Sequence, residues 1–409
     1  MRILYLSQYF PPEIGATQTR AYEMATGLIR AGHQVTMLTE VPNHPEGFIR
    51  PDYRGRFWMR EELDGIDVIR VWVKTSPDKT VATRLAFYLS YMFNATVAGL
   101  LLARGHYDLL YATSPPLFVG GAALALSHLR RIPLVFEVRD LWPESAVTLG
   151  ELRNRHAIRI ATRLEEACYR RAQRIVVTAQ EIKDRLAQRG LPARKLALIR
   201  NGANVELFHP DPAAGHRLRA ALGLQDRFIA LYAGLFGLAY DLESIVDVAA
   251  QLTSCAPDIH FLLIGDGPSK PDIEARAAAA GVDNITILPA QPRETIPDYF
   301  NAADVSLVPL RKPTIFGMMP VKIYDSMACQ LPLVVGATGE PGTVIQQSEA
   351  GIVVDPDDRQ QLRDAILRLY ADPQLRRTYG QNGRAAVVTR YSRKSQARRL
   401  AELLEDLSL

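Results

Sequence analysis

The chain predicts an α/β protein built from two doubly wound domains, each a parallel sheet covered by helices on both faces. At 409 residues it exceeds what one hydrophobic core ordinarily organises. Short apolar runs alternate with amphipathic helical patterns along its length, as expected for strands buried on both sides. The series also starts twice, on either side of a segment rich in proline and glycine, Asn201–Gly223.

In the first set, Ile3–Gln8, Val35–Thr39, Val68–Val73, Leu109–Ala112, Leu134–Val138 and Ile175–Thr178 read as buried strands. Helical patterns at Thr19–Ala31 and Arg155–Arg171 lie between them, and Gly32 is a stop signal for the first. In the second set, Phe228–Ala233, His260–Ile264, Ile285–Leu288, Val305–Val308, Leu333–Val335 and Ile352–Val354 are the strands. Helices are expected at Leu242–Leu252, Pro271–Ala280 and Gln360–Tyr370, and a last charged one at Ser392–Leu407. The division expected is 1–203, 204–390 and a terminal helix within 391–409. Two such domains would face each other across a cleft. Ligands of these sheets bind beyond the carboxyl ends of the strands, so chemistry is sought in the loops that follow them.

Composition narrows the class. Hydrophobic residues make up 48% and charged residues 22%, which fits a folded globular chain and not a disordered one. The three cysteines are scattered at 168, 255 and 329, which argues for a reducing, cytoplasmic setting and against disulfides or a zinc site. The net charge of +4 conceals an asymmetry: residues 1–205 hold 28 Lys/Arg against 19 Asp/Glu, and the remainder 20 against 25. The basic half suits an anionic membrane surface or a phosphate-bearing acceptor, or is simply a solubilising surface. Nucleic acid is not expected, because no recognisable module interleaves aromatic residues with the basic ones. Leu85–Ala103 is nineteen residues without a charge, long enough to span a bilayer. Ser90, Asn94, Thr96 and four aromatic residues within it favour a buried or interfacial helix instead. The opening apolar run is too short for a signal peptide.

The loops differ in what they offer. Pro320-Val321-Lys322-Ile323-Tyr324-Asp325 begins a helix with a cation and an acid three residues apart, on one face. Lys322 and free amides suit a diphosphate and Asp325 suits ribose hydroxyls; a solvated ion pair at a helix start is the plainer reading. Gly15 ends the loop after the first strand, and Gly234 and Gly237 follow the first strand of the second set. Each glycine pattern could admit a phosphate or serve a turn alone, and neither matches a full nucleotide fingerprint. Arg139-Asp140-Leu141-Trp142-Pro143-Glu144 leaves a strand with charges and a stacking ring, the composition of a substrate loop. Asp355-Pro356-Asp357-Asp358 is expected to cap a helix, not to bind metal. His44 has no second histidine at metal spacing, so no metal is expected.

Together these segments resemble family-4 glycosyltransferases of the two-domain GT-B fold, over nearly the whole chain. The Pro42–Gly47 loop and the Arg139–Glu144 run look most like the bacterial branch that holds fucosamine transferases of capsule, O-antigen and colanic-acid synthesis. The resemblance implies a nucleotide-sugar donor, UDP-linked, as substrate with no cofactor. Asp325 would hold the ribose, with Pro320, Val321 and Lys322 at the pyrophosphate and Gly15, Gly234, Gly237 and Arg200 near it. Gln291 and Arg293 would meet the base, and Met318 and Met319 the donor hydroxyls. Arg139 and Asp140 would occupy the catalytic position, and His44, Trp142 and Glu144 the acceptor side. A lipid-linked or glycan acceptor, retention of configuration and no metal are further implications, while attachment to the inner face of the membrane is expected from the basic first half and the Leu85–Ala103 helix. So is a terminal helix returning to the first domain.

Two departures from the family pattern stand out. Where relatives carry two glutamates eight apart, this chain has Gly317 and Asp325. Beside the glycine turn, where relatives place Arg and Lys, it has Leu235, Phe236, Leu238 and Tyr240. Phosphate charge would then fall to Lys322, Arg200 or Arg293 and to helix amides. The alternatives on the same fold are a sugar-nucleotide epimerase, a phosphorylase, and a non-catalytic nucleotide-sugar-binding protein.

Overall fold

The computed structural model describes residues 1–13, 15–43, 47–78, 80–148, 150, 152–312 and 316–407. It divides into two compact units, Met1–Asn201 with Arg393–Leu409, and Gly202–Ser392.

The first unit runs β1 (Arg2–Leu6), α1 (Ala16–Arg30), β2 (Gln34–Glu40), β3 (Trp58–Leu63), β4 (Ile66–Val71), α2 (Val81–Leu101) and β5 (Leu109–Ser114). It continues through α3 (Phe118–Leu129), β6 (Leu134–Val138), α4 (Glu144–Thr148), α5 (Arg155–Arg171), β7 (Arg174–Val177), α6 (Gln180–Gln188) and β8 (Leu196–Leu198). Strand order is β3-β4-β2-β1-β5-β6-β7-β8. Alternation along β1 sorts the layers: Ile3 and Tyr5 join the core under α1, and Leu4 and Leu6 join the core under α2, α3 and α5.

The second unit runs α7 (Pro212–Leu222), β9 (Phe228–Ala233), α8 (Leu242–Leu252), β10 (Ile259–Ile264), α9 (Lys270–Ala280), β11 (Ile285–Leu288) and α10 (Ile296–Ala302). It continues through β12 (Val305–Pro309), α11 (Val321–Ala328), β13 (Leu333–Gly336), α12 (Glu340–Ser348), β14 (Gly351–Val354), α13 (Arg359–Ala371) and α14 (Pro373–Ala386). Its sheet, β11-β10-β9-β12-β13-β14, is parallel throughout. The last helix, α15 (Arg393–Glu405), belongs to the first unit and lays Leu400, Ala401 and Leu404 in the core under α1.

Three features depart from the expected pattern. The Asn201–Gly223 segment is not all linker, because α7 occupies Pro212–Leu222. Asp211 caps it, accepting from the Ala214 amide at 3.0 Å, and Pro212 stands in the first turn, where proline favours a helix. Gly215 within it is a contact, not a breaker: a Cβ there would run into the Asn301 carbonyl of α10. The first sheet also carries an antiparallel edge, β3 on β4, turned through Asp64-Gly65 at φ 50° and 80°. That dipeptide is a strong hairpin signal that the alternation pattern overshadowed. Finally, short β8 was not anticipated.

Among the described residues no helix is long and apolar enough to cross a membrane. Asp358 accepts from the Gln361 amide at 2.9 Å at the start of α13, as its capping role requires.

Candidate active site

In the second unit two glycine turns lie against each other at the carboxyl ends of β9 and β10. The Phe236 amide donates to the Asp266 carbonyl at 2.9 Å, and the Ser269 amide to the Phe236 carbonyl at 3.0 Å. Gly234 holds φ at 141°, and Gly265 approaches so closely that a Cβ on it would strike the Gly234 carbonyl. Side chains are excluded at both positions, so backbone packs directly on backbone there.

Lys322 reaches this turn from the first turn of α11. An added Cβ on Gly234 would stand 2.7 Å from Lys322 Nζ. The ammonium is buried and has no hydrogen-bond partner among the described residues. What surrounds it is aromatic: Nζ lies 3.6 Å from the Tyr232 ring centroid and 4.2 Å from that of Tyr240. The two rings meet edge to face at 5.7 Å. Burial pushes the Lys322 amine well below the ordinary lysine range. A cation withdrawn from water and left without an anion can recover much of its lost solvation from a phosphate.

α11 positions the rest. Pro320 stands at its N-cap and offers no side-chain cap to the first amides. Ser326 Oγ ties the helix to β12 through Ser306 Oγ at 2.8 Å. Asp325, three residues past Lys322, is half-buried and contributes to raising the Cys329 thiol, which burial raises first. Pro320 and Met319 are buried, Val321 and Met318 half-buried, and Gly317 turns the loop at φ 71°. Gly237 is buried in the turn that faces Lys322, its carbonyl accepting from Tyr240 at 3.0 Å. Gln291 and Arg293 are half-buried after β11, with Gln291 Nε2 donating to the Pro289 carbonyl at 3.0 Å.

In the first unit, Arg139 turns inward. Its guanidinium donates to the Ser114 and Pro115 carbonyls at 3.3 and 3.1 Å and lies 3.7 Å from buried Glu137. Its charge is therefore held within the unit. Asp140 beside it accepts from Ser145 Oγ at 2.8 Å, and burial raises its carboxyl above the usual aspartate range. Trp142 packs on the Phe118 ring at 6.3 Å, and Glu144 pairs with Arg185 at 2.9 Å. Gly15 precedes α1 in extended backbone and, as its N-cap, brings no side chain to it. The Arg200 carbonyl accepts from Arg20 at 3.0 Å. His44 lies outside the described residues.

Sequence reasoning missed two groups. Tyr232 and Tyr240 bracket the glycine turn, but only the approach of α11 reveals that their rings enclose an ammonium. The other is the Arg20–Glu137 pair at 2.8 Å, fully buried. Glu137 also accepts from Tyr111 and Thr113, each at 2.7 Å. Its only signal was an acid inside the apolar run of β6.

Family models match both units: a glycosyl transferase 4-like domain over residues 15–202 and a glycosyl transferases group 1 domain over 216–386. D-inositol 3-phosphate glycosyltransferase 1 of Catenulispora acidiphila is 30% identical over 68% of this chain and 67% of its own. The chain belongs to the family-4 glycosyltransferases. The putative colanic acid biosynthesis glycosyl transferase WcaI of Escherichia coli is 22% identical to this transferase, covering 80% of the chain and 81% of its own. Anabaena HepE, solved in complex with UDP-glucose, superposes with a TM-score of 0.74 at 20% identity, over 99% of the transferase and 100% of HepE. That likeness shows the GT-B fold. Neither an epimerase nor a passive binder is favoured by these relationships.

Proposed function

We propose that the transferase moves a sugar from a uridine diphosphate donor to a lipid-linked glycan at the cytoplasmic face of the membrane, in surface-polysaccharide synthesis. Configuration is retained and no metal takes part. The observation that carries the donor reading is the buried ammonium of Lys322 against the Gly234 turn, without a hydrogen-bond partner among the described residues. A diphosphate seated there receives Lys322 and the open amides of α11, and the leaving group gains negative charge where those donors point. Asp325 holds the ribose. Gln291 and Arg293 serve the base, and Met318 and Met319 the donor sugar. Asp140 is the acid of the acceptor side, with Arg139 as its positioning neighbour because the guanidinium is held by carbonyls. Trp142 and Glu144 shape that loop.

A panel of nucleotide sugars read by thermal shift tests the donor, since a ligand bound to the folded state alone raises the midpoint. UDP-linked sugars are expected to give the largest rise. Lys322→Ala is expected to raise the barrier to transfer by roughly 2–4 kcal/mol, the scale of losing one charge-stabilising donor. Unchanged turnover in that variant would remove the phosphate assignment.

A further inference from the structure

Two rings replace part of what water would give the Lys322 ammonium. Its nitrogen lies over the Tyr232 ring, 3.6 Å from the centroid, and over the Tyr240 ring at 4.2 Å. Both distances fall well inside the roughly 6 Å over which a ring face attracts a cation, and the attraction is strongest where water is excluded. The rings are themselves fixed. Tyr232 lies in β9, and its hydroxyl donates to the Leu235 carbonyl of the glycine turn. The Tyr240 amide donates to the Gly237 carbonyl at 3.0 Å, and the residue pairs with Leu310 in a single antiparallel bridge. Phe236 meets Tyr232 edge to face at 5.7 Å, the same separation as between the two tyrosines.

The charged groups on the surrounding elements answer to other partners. Asp241, next to Tyr240, lies 3.5 Å from Arg311, which also pairs with Glu243. Asp266 on the Gly265 turn holds Lys270 at 2.8 Å and accepts from the Ala290 amide at 2.7 Å. On α11 itself Asp325 acts on the Cys329 thiol, and Arg384 of α14 donates to the Ala328 carbonyl at 2.8 Å. β12 reaches α11 with the neutral hydroxyl of Ser306. Burial alone lowers the Lys322 amine, and burial raises both phenols, so the rings stay uncharged wherever the amine titrates.

A carboxylate in the place of the rings would keep the ammonium charged and would also repel a diphosphate. A ring favours the charge and presents no anion, so the ammonium meets a phosphate with its N–H groups unspent on any described residue. We propose that Tyr232 and Tyr240 are positioning residues whose rings hold Lys322 as an ammonium at the glycine turn, and thereby set the pH range over which this site accepts a diphosphate. The ring contact stands on the geometry alone; its consequence for the donor rests on the function proposed above.

Carbon NMR of protein labelled at the lysine Cε reads the amine without any ligand, with Lys322→Met to assign its signal. Tyr240→Leu is expected to move the titration midpoint down by about one pH unit, a tenfold loss of proton affinity. Tyr240→Phe keeps the ring and is expected to keep the parent midpoint. Fluorinated phenylalanines in place of Tyr240 preserve shape while draining negative charge from the ring face, and are expected to lower the midpoint with each added fluorine. They serve equally if the leucine variant does not fold. Calorimetric titration with UDP reads the consequence. Below both midpoints Tyr240→Leu should bind within about twofold of the parent, and above both about tenfold more weakly. A midpoint that neither leucine nor fluorination moves overturns the proposal, as does Tyr240→Phe shifting as far as Tyr240→Leu. Affinity lowered equally at every pH would make the ring merely structural and overturn it too. If the midpoint moves but UDP gives no heat with the parent, the ring contact stands and the donor reading fails instead.

Discussion

Lys322 places a buried, ring-enclosed amine at the glycine turn of the second unit. Its amine sits among two tyrosine rings and a glycine turn, with burial lowering its proton affinity. In the unfolded chain a lysine holds its proton to about pH 10.4. Between the lowered value and that one, the unfolded state binds more protons, so this residue's contribution to stability improves as pH rises. A bound diphosphate reverses the preference by favouring the ammonium. UDP binding is therefore expected to take up a proton above the lowered value, with affinity falling by about tenfold per pH unit there. Calorimetric titration in two buffers of different ionisation enthalpy reads that uptake directly. Equal heats in both buffers, or the same uptake in Lys322→Met, would show that another group titrates. The meeting of Lys322 with Gly234 was implied by the family resemblance, which set both beside one pyrophosphate, and not by either short motif alone. The enclosing rings were not, since their orientation depends on how closely α11 approaches β9.

Elements are held together in the first unit by a charge pair that no local pattern announces. Arg20 on α1 and Glu137 on β6 stand 117 residues apart. Arg20 also donates to the Ile199 carbonyl at 2.9 Å and to Asn201 Oδ1 at 3.2 Å, fastening the segment where the chain leaves the unit. Burial alone would raise the Glu137 carboxyl, but Arg20, Arg139 and Thr113 together hold it at about 2. Its stabilising contribution is complete above the ordinary glutamate value near 4.3 and is lost as pH falls toward 2. Glu137→Ala is expected to cost about 3–5 kcal/mol in urea unfolding, because Arg20 is left charged and buried. A loss under 1 kcal/mol would mean that water or relaxation replaces the carboxylate. Strands such as β6, β9 and β11 were legible to the residue, because an apolar run bounded by turn residues fixes both ends. The β3–β4 hairpin and α7 were not. Polar β3 alternates weakly at a sheet edge, and Pro212 and Gly215 read as breakers until a cap and a close helix contact give them other roles.

Across the whole molecule, the chain leaves the first unit at Asn201, builds the second, and returns at Arg393 to complete the first. Each unit owns its cores: Leu400 and Leu404 of α15 lie with Met24 and Leu28 of α1, and no residue of 202–392 joins that cluster. Ala397 packs against Gly27, and Arg393 pairs with Glu23 at 2.6 Å. Cutting the chain after Ser392 therefore uncovers the apolar side of α1 while leaving the second unit's sheet and its Lys322 turn whole. In the function proposed above, by contrast, the donor is held by the second unit. Scanning calorimetry is expected to resolve two transitions. UDP at about 100 times its dissociation constant should raise one of them, adding about 2.7 kcal/mol to the second unit alone. Removal of residues 393–409 should lower the other and leave the UDP-sensitive one in place. If UDP and the truncation move a single common transition, the units unfold as one, and the ownership of α15 by the first unit has no separate thermodynamic meaning.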